Sequence, residues 1–320
     1  MPLLSSAAST LHAFGRDLES TEHLARILRI HLELSLDGGA VPGGRFWPRF
    51  LLLAGWPAMP EATASQAVET AIAGPTGPSL RGSVDAVRLA AQAIRPRLST
   101  EIYEQVNSLY WRTREGARDG QLQSFLHDVE LTTQLIGGLV DDTMTHDHAW
   151  SFVRLGRHLT RSRNVARLVT RKAGGLIAAA DTAVAWSGVL RCCSAFEAFR
   201  LATAEHVGRD AVIRFLLLHP SSPQAVHFCL EETLTAVRQI DGGRRSGADH
   251  AVGQLLALLL DGAQEPIRRP ELFGFRFERL CGTVSEALDR TYFAPAAQAH
   301  RAAPAFRVQS QQQQQTAIGS

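Results

Sequence analysis

The sequence predicts an all-α fold, in which a tandem duplication of a helical-bundle unit forms one compact helical body with a disordered C-terminal tail. Apolar residues recur at helical spacing along most of the 320-residue chain. No stretch alternates apolar and polar residues over the length of a β-strand. Residues 15–26 also recur, altered, as residues 156–167, with Gly, Arg, Leu, Ala and Arg in register at an offset of 141. A repeat of this length indicates a repeated structural unit.

The first half of the chain predicts a series of helices that begins with residues 9–36, where there is no proline. The apolar residues of that segment fall on one helical stripe: Leu11, Phe14, Leu18, Ala25, Leu28, Leu32 and Leu36. Pro78 is predicted at the first position of a helix running to about Arg95, because proline loses no hydrogen bond there. The other helices are predicted at 46–54, 64–73, from the N-cap Ser99 onward, and at 121–141 with an inward face of Phe125, Val129, Thr132, Leu135 and Leu139.

The second half repeats this order. Residues 149–172 match the first helix, 186–190 resemble 47–51, and 220–223 resemble 75–78. Later helices are predicted at 223–240, with Ser222 as its N-cap, at 247–260, and at about 275–292. We therefore divide the chain into a first helical repeat (1–143), a second helical repeat (144–293) and a tail (294–320). The tail is rich in Ala, Pro and Gln, a composition that cannot bury a core and predicts disorder.

Composition favours a soluble protein of the cytoplasm. The formal net charge is only +2, from 33 basic and 31 acidic residues, so charge gives no reason to expect nucleic acid or an acidic membrane as a partner. We expect no signal peptide and no membrane span, because the longest aliphatic run is much too short. The four cysteines form no Cys-x-x-Cys pair and are predicted to be buried, reduced thiols.

Both copies of the repeated segment resemble the motif of the bacterial Alpha-E family, a predicted helical domain named for a Glu-Arg motif. The family pattern runs approximately Leu-Gly-Arg-Tyr-Leu-Glu-Arg-Ala-Glu-x-x-Ala-Arg, and it is similar to residues 14–26 and 155–167. Further similar segments are 99–110, 142–144, 150–157 (which runs into the second copy and is counted with it), 191–198 and 215–218. The order and spacing of six segments agree, so the resemblance covers nearly everything except the tail.

The chain departs from that pattern at the Glu-Arg pair itself. The first copy has Glu19 followed by Ser20, whereas the second has Thr160 followed by Arg161. The resemblance implies a companion of ATP-grasp-type ligases in peptide or amide modification, with a transglutaminase-like protease as a possible further partner. It implies no settled reaction for the domain itself.

The repeated segment supplies the candidate site, a polar face on each of two predicted helices. Its members are Arg16, Glu19, Glu22 and Arg26 in the first copy, and Arg157, Arg161, Arg163 and Arg167 in the second. Residues three and four apart share a helix face, so we predict that Glu19 and Glu22 face Arg163 and Arg167 between the copies. The functional alternative is a polar pocket between the copies that binds an anionic peptide or phosphate.

Three interpretations of function follow. The preferred one is a non-catalytic binding or adaptor subunit for the ligase, because each copy keeps half of the Glu-Arg pair. An enzyme is the alternative, acting on a peptide or amine through Glu19 with Arg16, Arg157 and Arg161. A purely structural helical oligomer is the third. No cofactor is predicted.

The acidic and histidine-rich stretch 141–148 invites a metal interpretation, but its two histidines are two positions apart. A helical two-histidine site needs a spacing of three or four. We predict no metal here, and instead a turn with Thr145 or Asp147 as the N-cap of the following helix.

Overall fold

The computed structural model describes residues 4–36, 46–56, 59–75, 77–118, 120–174, 182–261 and 264–294. These residues form fourteen α-helices and no strand, which confirms the all-α prediction. The helices are α1 (Ser5–Leu36), α2 (Phe46–Ala54), α3 (Ala64–Ala73), α4 (Leu80–Ala93), α5 (Thr100–Glu115), α6 (Leu122–Thr143), α7 (His148–Ala173), α8 (Ala183–Cys192), α9 (Phe196–Ala202), α10 (Arg209–Leu218), α11 (Val226–Ile240), α12 (Gly247–Asp261), α13 (Glu265–Arg268) and α14 (Pro270–Leu288). Residues 295–320 of the predicted tail lie outside the described part.

The helices form two four-helix bundles joined by their first helices. In the first, α1 packs on α4 and α6, while α5 packs between α4 and α6. In the second, α7 packs on α11 and α14, and α12 packs between those two. Among the described helices, the most extensive contact joins α1 to α7. Buried apolar side chains from both bundles form one continuous core, so the two bundles make a single body.

The packing of the second bundle repeats that of the first in the same chain order. The helices α1, α2, α3, α4, α5 and α6 take the places of α7, α8, α10, α11, α12 and α14. The contacts that join the bundles are also exchanged, since α2 touches α7 and α8 touches α1. A duplicated unit would produce this pattern. The duplication itself and the boundary at 143/144 remain predictions.

Hydroxyl and carboxylate side chains begin several helices. Thr63, Ser79, Ser99 and Thr182 each accept a backbone N–H three residues on. Asp147 accepts the N–H groups of Ala149 and Trp150 and so begins α7. The predictions of Ser99 and Asp147 as N-caps are therefore confirmed, and stretch 141–148 is a turn that leads into the central helix of the second bundle.

Two predicted helix starts are wrong. Pro78 does not occupy the first position of α4, because Ser79 is the N-cap and the helix begins at Leu80. Likewise α11 begins at Val226 rather than at Pro223. There Ser222 accepts the N–H of Ala225 through its backbone oxygen, which closes a turn, and its hydroxyl caps nothing.

One residue of the predicted inward face of α6, Leu135, does not face inward. Leu135 is half exposed, whereas its neighbour Ile136 is fully buried. The helix packs against both α1 and α5, so its buried face is wider than a single stripe and includes Ile136, Gly137 and Val140.

The predicted apolar stripe of α1 is wrong at its last residue. Leu36, at the end of the helix, is 78% exposed.

Candidate functional site

The site is built around a crossing at which the backbones of α1 and α7 touch. A Cβ atom placed on Gly15 would lie 2.1 Å from the carbonyl oxygen of Val153, and one on Gly156 would lie 2.1 Å from that of His12. Gly15 therefore contacts Val153, three residues before Gly156, and Gly156 contacts His12, three residues before Gly15. Only a residue without a side chain allows so close an approach. The crossing places the two polar faces side by side.

On one side of this crossing, Glu19 of α1 forms a two-pronged ion pair with Arg161 of α7. Its oxygens accept hydrogen bonds from Arg161 Nε at 2.7 Å and Arg161 Nη2 at 2.6 Å. Both side chains are largely buried, with 3% and 11% exposure. Arg157 Nε lies 3.8 Å from the same carboxylate, too far for a hydrogen bond. Residues at the two halves of the Glu-Arg motif, 142 positions apart in sequence, are thus in direct contact.

Electrostatics keeps this carboxylate ionised. Burial alone would raise the pKa of Glu19, but the guanidinium of Arg161, with Arg157 and Arg26, lowers that pKa below its ordinary value. The pKa of Arg161 is raised because Glu19 outweighs the effect of burial. The pair is therefore a fixed charge pair at neutral pH.

Glu22 and Arg26 of the first polar face form a second buried network. Arg26 donates to Glu22 on its own helix, and its Nε donates to Glu130 of α6 at 2.8 Å. Arg29 Nη2 lies 3.0 Å from the other Glu130 oxygen. This network ties α1 to α6.

The corresponding residues of α7 make the equivalent contact in the second bundle. Arg163 and Arg167 both donate through Nε to Glu278 of α14, at 2.7 and 3.0 Å. The prediction that Glu19 and Glu22 face these two arginines is therefore wrong. Arg163 is two residues beyond Arg161, about 200° around the helix. With Arg161 facing α1, Arg163 faces α14.

The two acidic partners, Glu130 and Glu278, were missed by the sequence reasoning. Each is an acid on the buried side of the last long helix of its bundle, opposite Arg26 or Arg167. A signal existed in the sequence, because Glu130 lies among the apolar residues of an otherwise inward face. Gly137 was also missed: it makes room for Arg157, whose Nη1 would be 2.5 Å from a Cβ there.

On the other side of the crossing, a cavity of about 310 Å³ opens between α1 and α7. We call it the crossing pocket. Its polar lining includes Arg16, Ser20, His23, Thr160, Arg163 and Arg167. Arg16 pairs with its neighbour Asp17 at 2.8 Å and is half exposed. Burial, with the positive charges of Arg26 and Arg167, lowers the pKa of His23 to about 3. The pocket is therefore a cationic site with a neutral histidine.

The structure separates the eight predicted site residues into four groups. Glu19, Arg157 and Arg161 lie together at the crossing. Glu22 and Arg26 join Glu130, whereas Arg163 and Arg167 join Glu278. Arg16 lies at the crossing pocket with Asp17.

A buried histidine beside the motif gives the molecule a titratable element. The ring of His31 packs against Phe46 and Phe50, with ring centroids 5.7 and 4.9 Å away. Burial lowers its pKa to about 4, even though its Nδ1–H donates to the carbonyl of Ile27 at 2.7 Å. The unfolded chain, with an ordinary histidine pKa of about 6.5, therefore binds this proton at a higher pH than the folded chain.

We expect acid to destabilise the protein in the window between these two pKa values. The stabilising contribution of neutral His31 is complete above about pH 6.5 and is lost as the pH falls toward 4. Replacing it in the variant His31→Leu is expected to reduce the slope of unfolding free energy against pH by about 1.4 kcal/mol per pH unit. Urea unfolding at about pH 7.5, 6 and 5 measures the slope. Parallel curves for the two proteins would contradict the assignment.

Within the described part of the chain, no group of three or more His, Cys, Asp or Glu side chains is placed to hold a metal ion. No described helix combines the length and apolar character needed to cross a membrane. The four cysteines are buried and unpaired, as the sequence predicts. Burial raises the pKa of Cys193, Cys229 and Cys281 to about 12 and raises that of Cys192 as well.

Two packed helical bundles, with a carboxylate and a guanidinium paired across the helices that join them, define the class of protein. The chain belongs to the Alpha-E family, described as "a predicted alpha-helical domain with a conserved ER motif", which matches residues 3–293. No curated protein and no solved structure matches it.

Proposed function

We propose that this protein is a non-catalytic helical binding and adaptor subunit that works with an ATP-grasp-type ligase in peptide or amide modification. The observation that carries the non-catalytic part is the ion pair of Glu19. Both carboxylate oxygens accept hydrogen bonds from Arg161 in a buried setting, and the pKa of the acid is lowered. A general base must reach the proton that it removes and have a pKa near the working pH. Glu19 meets neither condition.

The thiols give the enzyme alternative no better support. A thiolate, rather than a thiol, is the nucleophile, and burial in apolar surroundings suppresses it. Cys192 and Cys193, which stand in a segment similar to the family pattern, are fully enclosed and have raised pKa values. These groups are packing residues in the proposal.

Binding is supported by the crossing pocket and by the family. The pocket is a preformed cationic cavity between the two bundles, and such concave sites are where proteins take small ligands. The ligase partner comes from the resemblance of the repeated segments, and a transglutaminase-like protease is a secondary candidate. A cytoplasmic location is part of the proposal, since an ATP-dependent partner needs its nucleotide there.

Co-purification tests the partnership. The tagged chain would be co-expressed with a candidate ATP-grasp-type ligase, and we expect the ligase to be retained and its ATP turnover to change when this chain is removed. The wild type and the variant Glu19→Gln would then be compared for turnover of peptide and amine substrates without the ligase. Turnover by the isolated wild type would overturn the proposal in favour of an enzyme, and its loss in a Glu19→Gln variant that is still folded would assign it to the motif. A stable homo-oligomer that retains no ligase would overturn it in favour of a structural role.

A further inference from the structure

The crossing pocket occupies a special place in the internal repeat. The offset of 141 residues that relates Gly15 to Gly156 also relates Glu19 to Thr160 and Ser20 to Arg161. Gly15 contacts α7 at Val153, and Gly156 contacts α1 at His12, so the two contacts are related by the same offset. The ion pair of Glu19 with Arg161 therefore has a counterpart position on the other side of the crossing, formed by Thr160 and Ser20.

Both counterpart residues are short hydroxyl side chains, and both line the crossing pocket. A carboxylate is thus present on one side of the crossing and missing on the other. Ser20 replaces the hydrogen-bonding arginine, Arg161, but the second arginine is kept, because Arg16 corresponds to Arg157, whose Nε lies 3.8 Å from Glu19. Arg16 also lines the pocket, and the acid that it contacts is its own sequence neighbour Asp17.

We propose that the crossing pocket binds a carboxylate of a peptide or amino acid, in the place that the Glu19 carboxylate takes on the opposite side. This inference deepens the proposed binding function and rests on it. Arg16 supplies a planar guanidinium, which matches a carboxylate through two parallel hydrogen bonds. Thr160 supplies a hydroxyl group at the counterpart position, beside Ser20, whose own hydroxyl donates to the backbone carbonyl of Arg16.

The surroundings favour an anion of limited size. Arg163 and Arg167 add positive charge to the lining, although Glu278 is already bound to both. No carboxylate belongs to the described residues that line the pocket. Its volume of about 310 Å³ is at the lower end for small-molecule sites, roughly 300–1,000 Å³. The pocket fits one amino acid or the end of a peptide, not a long segment.

Calorimetric titration of the full chain tests this assignment. The probes are N-acetylalanine, with a terminal carboxylate; N-acetylglutamic acid α-amide, with a side-chain carboxylate; N-acetylalanine amide, with none; and inorganic phosphate. We expect at least one of the carboxylates to bind and the amide not to bind. The two carboxylates distinguish a peptide C-terminus from an acidic side chain. Equal binding of the neutral amide, or tighter binding of phosphate, would overturn the proposal.

Two variants with opposite expected effects on carboxylate affinity test whether Arg16 is the binding group. The variant Arg16→Gln is expected to weaken carboxylate binding about tenfold, because it removes a charge-assisted hydrogen bond. Asp17→Asn should strengthen binding, because it removes the internal competitor for Arg16. The matched control is Arg114→Gln, which removes a similarly exposed arginine from its pair with Asp85, outside the pocket, and should not change binding. No change with Arg16→Gln would overturn the assignment.

Thr160→Glu provides an internal ligand. We expect it to abolish binding of the carboxylate probes and to raise the Tm, because its own carboxylate would meet Arg16. Thr160→Gln occupies similar volume without charge and is expected to leave the Tm unraised. A Tm lowered equally by both variants would show that the pocket does not favour a carboxylate, and so would overturn the inference. Carboxylate binding without ligase retention would disprove the partnership and leave the pocket assignment intact. Ligase retention without carboxylate binding would disprove the pocket assignment and leave the partnership intact.

Discussion

Replacing Glu19 with glutamine is expected to lower the free energy of unfolding by about 3–5 kcal/mol, the usual cost of leaving one member of a buried ion pair without its partner. Glutamine has nearly the same shape as glutamate, so little packing is lost. Arg161 would keep its charge in a largely buried position, with Arg157 nearby and without the acid that pairs with both. The charge of Glu22 acts on Arg161 more weakly than that of Glu19. Urea unfolding at neutral pH measures the change.

A double-mutant cycle separates the pair from the rest of the crossing. The double variant of Glu19→Gln with Arg161→Met should be much less destabilised than the two single changes imply together, since it removes both charges of the pair. Arg157, which makes no hydrogen bond to Glu19, stays in both Glu19 variants and so does not alter the comparison. The matched control is Asp85→Asn, which breaks the exposed pair with Arg114 and is expected to cost less than about 1 kcal/mol. Additive effects at Glu19 and Arg161 would show that the two side chains do not act as a pair.

The fold class could be predicted because its signals are local. Helical spacing of apolar residues along α1 and the N-cap at Ser99 depend only on near neighbours in the chain, and the structure has both features. Where several cap residues compete within a few positions, the local signal is insufficient. Ser79 rather than Pro78 begins its helix for this reason.

The candidate site could be located, but its contacts could not. The repeat indicated that a polar face of α1 meets one of α7, and Glu19 does contact a base of the second copy. Which base it contacts depends on the rotation of α7 about its own axis, and packing against α11 and α14 fixes that rotation. Arg163 therefore pairs with Glu278, a residue more than a hundred positions away. No local pattern carries this information.

Alanine in place of either crossing glycine is expected to be as damaging as loss of the ion pair. In Gly15→Ala or Gly156→Ala, the new methyl group would lie 2.1 Å from a backbone carbonyl oxygen of the other helix. Backbone atoms cannot move aside as a flexible side chain can, so α1 and α7 must separate. We expect a loss of about 3 kcal/mol in each variant, the upper end of the usual cost of overpacking, although alanine is the better helix former by about 1 kcal/mol. Thermal and urea unfolding measure it.

The control for this substitution is Gly138→Ala in α6, where a Cβ meets no atom within 4 Å. That variant should gain up to about 1 kcal/mol from helix propensity alone. The two crossing variants combined should cost less than the sum of their separate effects, because one separation of the helices relieves both clashes. Separation would also lengthen the contact between Glu19 and Arg161, so the crossing variants should reduce the coupling energy measured for that pair. A coupling energy unchanged in Gly15→Ala would mean that the glycines do not position the motif.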